Sequence, residues 1–232
     1  MSVPTISIVL PIYNQADHLE KIVTIYREHL KKINSVSEIL LVPNGCTDQS
    51  VELCQRLSES QEHVRAIPVE GQGWGVAVQS GLAAAMGEIL CYANSARTGP
   101  EELVLMLLYA IAYPKTVVKT NRRIRENFRR RLGSLLYNLE CRALFDLSYW
   151  DINGTPKVFP RSFDRLVHLT RPDDLIDLEF NIICRQMNYP VVEVPSFSTR
   201  RHGGKSTTTY LSALRMYWGA YQMWRTQKAL DK

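Results

Sequence analysis

The sequence predicts an α/β protein with a mostly parallel central sheet flanked by helices, and two observations carry that expectation. Through the first ninety or so residues, short β-branched runs alternate with longer amphipathic segments, as βα units do. The segments PIYN, PNGCTD, EGQGWG and NSARTG, rich in turn-forming residues, follow the first four of these runs. In open α/β sheets, ligands bind where the strands end, so these four loops define the first place to look for a site.

Taken in order, residues 5–10 read as the first strand. Residues 16–31 read as its helix, because Leu19, Ile22, Val23, Tyr26 and Leu30 recur at intervals of three and four on one face. A strand at 38–42, a helix at 49–57, a strand at 64–69, a helix at 76–86 and a strand at 88–93 follow. A helix over 101–113 and a short strand over 116–120 continue the alternation, and an arginine-rich stretch leads into a helix over 126–145. Beyond it the pattern turns to α+β. PKVFPR is a strand bounded by prolines, 173–187 a helix, 191–197 a strand and 210–230 a closing helix rich in tyrosine and tryptophan. No repeat or linker divides the chain, so one domain over residues 1–232 is expected.

Composition narrows the function classes. With 45% hydrophobic and 22% charged residues, the chain has the balance of a globular protein. Its cysteines, at 46, 54, 91, 141 and 184, form no CxxC pair and sit mostly in apolar segments, as small core residues in a reducing compartment do. The opening MSVPTISIVLPIYN has neither a basic leader nor an export-length apolar run, and no apolar run matches ~30 Å of hydrocarbon. A cytoplasmic location is expected, with any membrane contact made from the side, on the inner face. The net charge of +5 favours an anionic partner, and Arg122, Arg123, Arg125, Arg129, Arg130 and Arg131 concentrate it. Guanidinium groups so crowded repel one another unless anions neutralise them. Nucleic acid is not the expected partner, because the aromatic interleaving and recognition motifs it needs are missing.

The loops offer particular chemistry. Asn14, Asn44 and Asn94 fall at or beyond three strand ends, where a carboxamide can face a nucleobase or ribose or simply form a turn. Gly71, Gly73 and Gly75 follow the third strand rather than the first, which excludes the dinucleotide fingerprint, and no P-loop is present. The histidines at 18, 29, 63, 168 and 202 lack metal-ligand spacing; His18 and His29 read as helix-surface residues. Asp151, Asp173, Asp174, Asp177 and Glu179 are the carboxylates near candidate segments of the second half. A general base is needed for transfer to a hydroxyl, but not to a phosphate oxygen, which is already ionised.

The segments SIVLPIYNQADHL, LLVPNGCTDQS and GQGWGVAVQSGLAAAMGEILCYANSA stand in that order along the chain. Together they resemble the family-2 glycosyltransferases, in the branch of dolichyl-phosphate mannose synthase and the bacterial polyprenyl-phosphate sugar transferases. The later segments DINGTPKVFPR, DLEFNIICRQMNYPVVEVPSF and Arg201-x-x-Gly204-x-Ser206 extend the likeness over nearly the whole chain. The resemblance implies a GT-A nucleotide-diphospho-sugar transferase sheet, with a nucleotide-sugar half at 1–120 and an acceptor half at 121–232. It also implies an inverting transfer from a nucleotide-sugar donor to a lipid-phosphate or hydroxyl acceptor. Pro11, Tyr13, Asn14, Asn44, Gly73, Asn94, Arg97 and Lys119 would then serve the donor, and Arg122, Arg130, Ser134 and Ser206 the acceptor. Asp151, Arg201 and Lys205 would be catalytic.

One departure cuts across this. Where the family carries D-x-D to hold a divalent cation, this chain has Asn94-Ser95-Ala96, and Pro43 and Asn44 replace the paired aspartates of the neighbouring loop. A carboxamide is a poor substitute for an anionic oxygen ligand. No metal or other cofactor is expected, and two readings stay open: an enzyme that works without the ion, or a silent relative that binds a nucleotide, sugar or partner. The closing helix repeats Leu211, Leu214, Tyr217, Trp218, Tyr221 and Trp224 at intervals of three and four, which suits core packing, self-association or an anionic membrane surface.

Overall fold

The computed structural model describes residues 5–123, 128–197, 203 and 210–230, apart from the side chains of 128–130, 210–211 and 230. The strands are β1 (Ile6–Ile12), β2 (Ser37–Pro43), β3 (Val64–Ala66), β4 (Ile89–Tyr92), β5 (Val117–Arg122), β6 (Lys157–Pro160) and β7 (Val191–Ser196). The helices are α1 (Leu19–Leu30), α2 (Ser50–Ser60), α3 (Trp74–Ala84), α4 (Pro100–Ala112), α5 (Phe128–Phe145), α6 (Asp164–Val167), α7 (Ile176–Gln186) and α8 (Tyr210–Leu230). The strands form one sheet in the order β3-β2-β1-β4-β6-β5-β7.

Only β6 in this sheet runs against its neighbours, β4 and β5. Its first residue, Lys157, therefore pairs with Tyr92 at the end of β4. The chain leading into β6, with Asp151, consequently arrives at the edge where the parallel strands finish.

All seven residues of β1 are buried, because helices cover both faces of the sheet and leave no polar side for an alternating pattern. On one face α1, α2 and α4 pack through residues such as Leu19, Tyr26, Leu57, Leu103 and Leu107. On the other, α3, α6 and α7 pack through Ala77, Leu82, Leu166, Ile176 and Phe180. α5 and α8 lie outside α7, meeting Leu178 and Ile182 through Tyr137, Cys141 and Ala220.

Several boundaries differ from the sequence expectation for local reasons. β3 ends at Ala66 rather than at 69, because Pro68 has no N–H to continue the ladder, and Val69 returns only as an isolated bridge to Asn44. α1 begins at Leu19 rather than at 16. The intervening backbone is held by the next loop instead, with Gln15 N–H donating to Ser50 Oγ (2.8 Å) and Ala16 N–H to Asp48 Oδ2 (3.2 Å). α7 begins at Ile176 rather than at 173, after a turn in which Asp173 Oδ1 accepts from Leu175 N–H (3.1 Å). The short α6 was not foreseen.

Candidate active site

The four loops converge at the C-terminal edge of β1 to β4; asparagines tie the first three together, and Ser95 joins the fourth to Gln15 of the first. Asn14, at φ 49°, accepts from Thr47 N–H (2.8 Å) and donates to Thr47 Oγ1 (3.1 Å), joining the first loop to the second. Asn44 is buried and used at both ends: its Nδ2 donates to Ile12 O (2.9 Å), and its Oδ1 accepts from Gly73 N–H (3.2 Å). It therefore sets the spacing of three loops. Pro11 is buried within β1, while Tyr13 stands half-buried just past its end.

Gly73 and Gly75 let the turn at residues 171–173 pack closely on the start of α3. A side chain at Gly73, whose φ is 152°, would sit 2.7 Å from the carbonyl oxygen of Pro172, and one at Gly75 would collide with the backbone of 171–173. The Pro172 carbonyl accepts from Val76 N–H (3.0 Å), so this turn covers the start of α3.

The triplet 94–96 does not fit a metal. Asn94 Oδ1 accepts from Ala96 N–H (3.1 Å), Ser95 is buried with its hydroxyl on Gln15 Oε1, and Ala96 brings no ligand. Among the described residues no group of three His, Cys, Asp or Glu side chains could hold a metal ion. Arg97 follows this turn, half-buried, its N–H on the Asn94 carbonyl (2.9 Å).

Beside these loops, the end of β5 and the approach to β6 form a charged clamp. Asp151, 2% exposed, takes a bidentate pair from Arg122, Nε to Oδ2 at 2.7 Å and Nη2 to Oδ1 at 2.8 Å, and also the Arg122 N–H at 3.0 Å. Its carboxylate thus meets a guanidinium in the fork geometry that makes such pairs strong. Glu193, on β7, accepts from the N–H groups of Trp150 (3.0 Å) and Asp151 (3.2 Å) and lies 3.4 Å from Lys119 Nζ. Sequence reasoning missed Glu193; the signal was a lone acid in the otherwise apolar run VVEVPS.

Lys119 corrects an expectation. It was expected at the end of a strand, facing the diphosphate, but β5 continues to Arg122 and Lys119 is fully buried, with Nζ on Asn181 Oδ1 (2.8 Å) and over the Tyr149 ring. Burial, and the nearby charge of Lys157, bring its ammonium down to about 8, while Glu193 and Asp151 oppose the shift. Lys157, its cross-strand neighbour, is also fully buried and pairs with Asp177, which accepts from Tyr92 Oη (2.9 Å). A lysine held below its ordinary value weakens folding while protonated, and that cost fades as pH rises from about 8 towards the free value near 10.4. We expect the stability of the parent relative to Lys119→Met, measured in urea, to rise across that window. A difference independent of pH would contradict the shift.

Other expected residues distribute unevenly. Ser134 is half-buried on α5, on the side of Tyr137 and Cys141, and Arg130 lies one turn earlier with its side chain outside the description. Arg201, Lys205 and Ser206 lie outside the described residues. His18 is not a surface residue: it is buried at the start of α1, its Nδ1 2.6 Å from Asp17 Oδ1, with Gly203 packed against its ring.

Loops at the C-terminal ends of the parallel strands, fastened by side-chain hydrogen bonds and flanked by a charged clamp, form the kind of sheet edge at which open α/β enzymes bind their ligands. Residues 7–166 match the profile of Glycosyl transferase family 2, and the chain belongs to that family. Its relatives include the undecaprenyl-phosphate 4-deoxy-4-formamido-L-arabinose transferases of Pectobacterium carotovorum subsp. carotovorum and Sodalis glossinidius. The first is 23% identical over 92% of this chain and 65% of that protein; the second is 22% identical over 93% and 66%. The chain thus spans about two thirds of the length of these relatives. The structure is similar to glucosyl-3-phosphoglycerate synthase of Mycobacterium tuberculosis in complex with Mn2+, UDP and glucosyl-3-phosphoglycerate. The TM-score is 0.71 at 19% identity, covering 95% of this chain and 80% of that one. The fold is of the GT-A type.

Proposed function

We propose that this chain is an inverting glycosyltransferase that moves a sugar from a nucleotide diphosphate to a polyprenyl phosphate, without a divalent cation bound at residues 94–96. The observation that carries this reading is the convergence of the four nucleotide-side loops with the Arg122–Asp151 clamp at one sheet edge. In the reaction, an oxygen of the acceptor phosphate attacks the anomeric carbon. The bond to the donor's β-phosphate oxygen breaks, and that oxygen leaves with the electron pair. An ionised phosphate needs no proton removed, which matches a site whose buried acid, Asp151, is already committed to a guanidinium. Asp151 then orients Arg122 towards the acceptor rather than serving as a base. Arg97, with Arg201 and Lys205, would stabilise the charge growing on the leaving diphosphate in place of a metal. Asn44 acts by holding the second and third loops at the spacing the nucleotide requires.

The Mn2+ complex of the similar structure keeps the metal-dependent reading in play for the family, and the donor set at 94–96 argues against it here. Offering a panel of nucleotide sugars with polyprenyl phosphate or with hydroxyl acceptors tests the acceptor class. Product with the lipid phosphate alone is expected; transfer only to hydroxyls would overturn it. The second reading, a silent binder, is favoured by one observation, the internal satisfaction of Asn44, Asn94 and Ser95.

A lipid acceptor places the reaction at a membrane surface, and no helix among the described residues is long and apolar enough to cross one. α5 exposes Leu132, Leu135, Leu136 and Leu139 on one face, and α8 exposes Leu214, Trp218 and Tyr221 beside it. Tyr217 of the expected stripe turns inward instead, edge-to-face with Tyr137 and donating to Gly133 O (2.5 Å). With Arg131 exposed on the same helix, this layer suits peripheral attachment to an anionic surface. Flotation with anionic vesicles at low salt is expected to carry the protein, and Leu135→Glu with Leu139→Glu to release it. Equal flotation of parent and variant would contradict the assignment.

A further inference from the structure

α4 faces the core through Leu103, Met106, Leu107 and Ala110, each at most 3% exposed. Opposite such a stripe, a helix at a protein surface normally presents charge. α4 instead exposes Leu105, Leu108, Tyr109 and Ile111, at 45, 47, 38 and 40%, and Tyr113 just beyond its end at 56%. Tyr109 and Tyr113 stack on each other, extending the apolar surface along one flank. Between residues 101 and 115 the charged side chains are Glu101, Glu102 and Lys115. Glu102 turns inward to accept from Thr120 Oγ1 (3.0 Å). Glu101 stays 79% exposed, 3.4 Å from His29 Nε2, and Lys115 is exposed past the helix end. The ridge is therefore apolar along its length, acidic at one end and basic at the other.

We propose that this ridge docks a second copy of the same chain, α4 against α4, antiparallel about a two-fold axis at Leu108. Leu108 lies midway in sequence between Glu101 and Lys115, and also midway between Leu105 and Ile111. Antiparallel pairing thus brings Leu108 of the two copies together, sets Leu105 against Ile111 and brings each Glu101 towards the other copy's Lys115. A two-fold interface must be complementary to itself, and this spacing of apolar and charged groups meets that condition. A lipid surface would gain nothing from the acidic end. α4 also lies on the opposite side of the sheet from α5 and α8, so a membrane resting on those helices leaves it uncovered. The exposed side chains offer on the order of 400 Å² per copy, about half of the ~800 Å² each partner gives a standard interface, so the association is weak and flanking residues contribute. The inference does not depend on the transferase reading.

Sedimentation of the chain over a wide concentration range tests it without any activity assay. The parent is expected to move from monomer to dimer as concentration rises. Leu108→Glu is expected to stay monomeric at every concentration while melting at the parent's temperature. Glu101→Lys is expected to weaken the dimer at least tenfold, and combining it with Lys115→Glu to recover most of the loss. A parent that is monomeric throughout would overturn the proposal. So would a dimer that survives Leu108→Glu, or a Leu108→Glu variant whose only defect is lost vesicle binding.

Discussion

Replacing Asp177 by alanine is expected to destabilise the protein by about 3–5 kcal/mol, because it leaves the buried ammonium of Lys157 without its partner. Lys157 is fully buried and its ammonium is already held below the ordinary value, chiefly by desolvation, with Asp177 pulling the other way. Without Asp177 that restoring charge is gone, and Tyr92 Oη also loses its acceptor in the core. Asp177→Asn keeps the shape and an acceptor oxygen but not the charge, and should recover part of the loss. Replacing both members, Lys157→Met with Asp177→Leu, should cost less than Asp177→Ala alone, since two apolar side chains remove both desolvation penalties together. Denaturant unfolding of the four proteins checks this. A double variant as unstable as Asp177→Ala would contradict the pair's role as a mutually compensated unit.

The second large effect is expected at Arg122. Arg122→Ala should lower transfer on the order of a hundredfold or more, as losing a preorganised charge does, while donor binding measured with the free nucleotide diphosphate changes little. Two contributions add. The acceptor phosphate loses a guanidinium, and Asp151, 2% exposed, loses the two-pronged contact with Arg122, so its carboxylate bears more strongly on the incoming anion. Arg122→Lys restores the charge but not the two-pronged contact with Asp151, so it should recover only part of the rate. Equal losses of donor binding and turnover would instead mean that the clamp holds the fold together and does not address the acceptor.

The strands were legible because strands covered on both faces must be apolar throughout, and ISIVLPI, SEILLVP and ILCY carry that signature openly. The loops were legible for a related reason: turn chemistry sits in a few residues, and those residues mark the strand ends. The clamp was only half legible. Arg122 and Asp151 were each singled out, but their pairing spans 29 residues and depends on β6 entering the sheet antiparallel, which no local pattern encodes. Lys119 misled, because a lysine near the end of a strand reads as solvent-facing. It is retained in the interior because Asn181 and Glu193 come from distant elements to meet it. Asn44 was recognised by position, yet its engagement by Ile12 and Gly73 appears only when three loops are assembled.

The central claim, sugar transfer to a lipid phosphate by a site whose 94–96 triplet offers no metal-binding carboxylate, is tested most directly by following product from labelled nucleotide sugars and polyprenyl phosphate. The assay is run in excess chelator and again in excess manganese or magnesium. Comparable product in both conditions is expected, because fixed cations rather than a bound ion would stabilise the leaving diphosphate. Product that vanishes in chelator and returns with metal would contradict the metal-free site, and no product in either condition across a broad donor panel would contradict transfer itself.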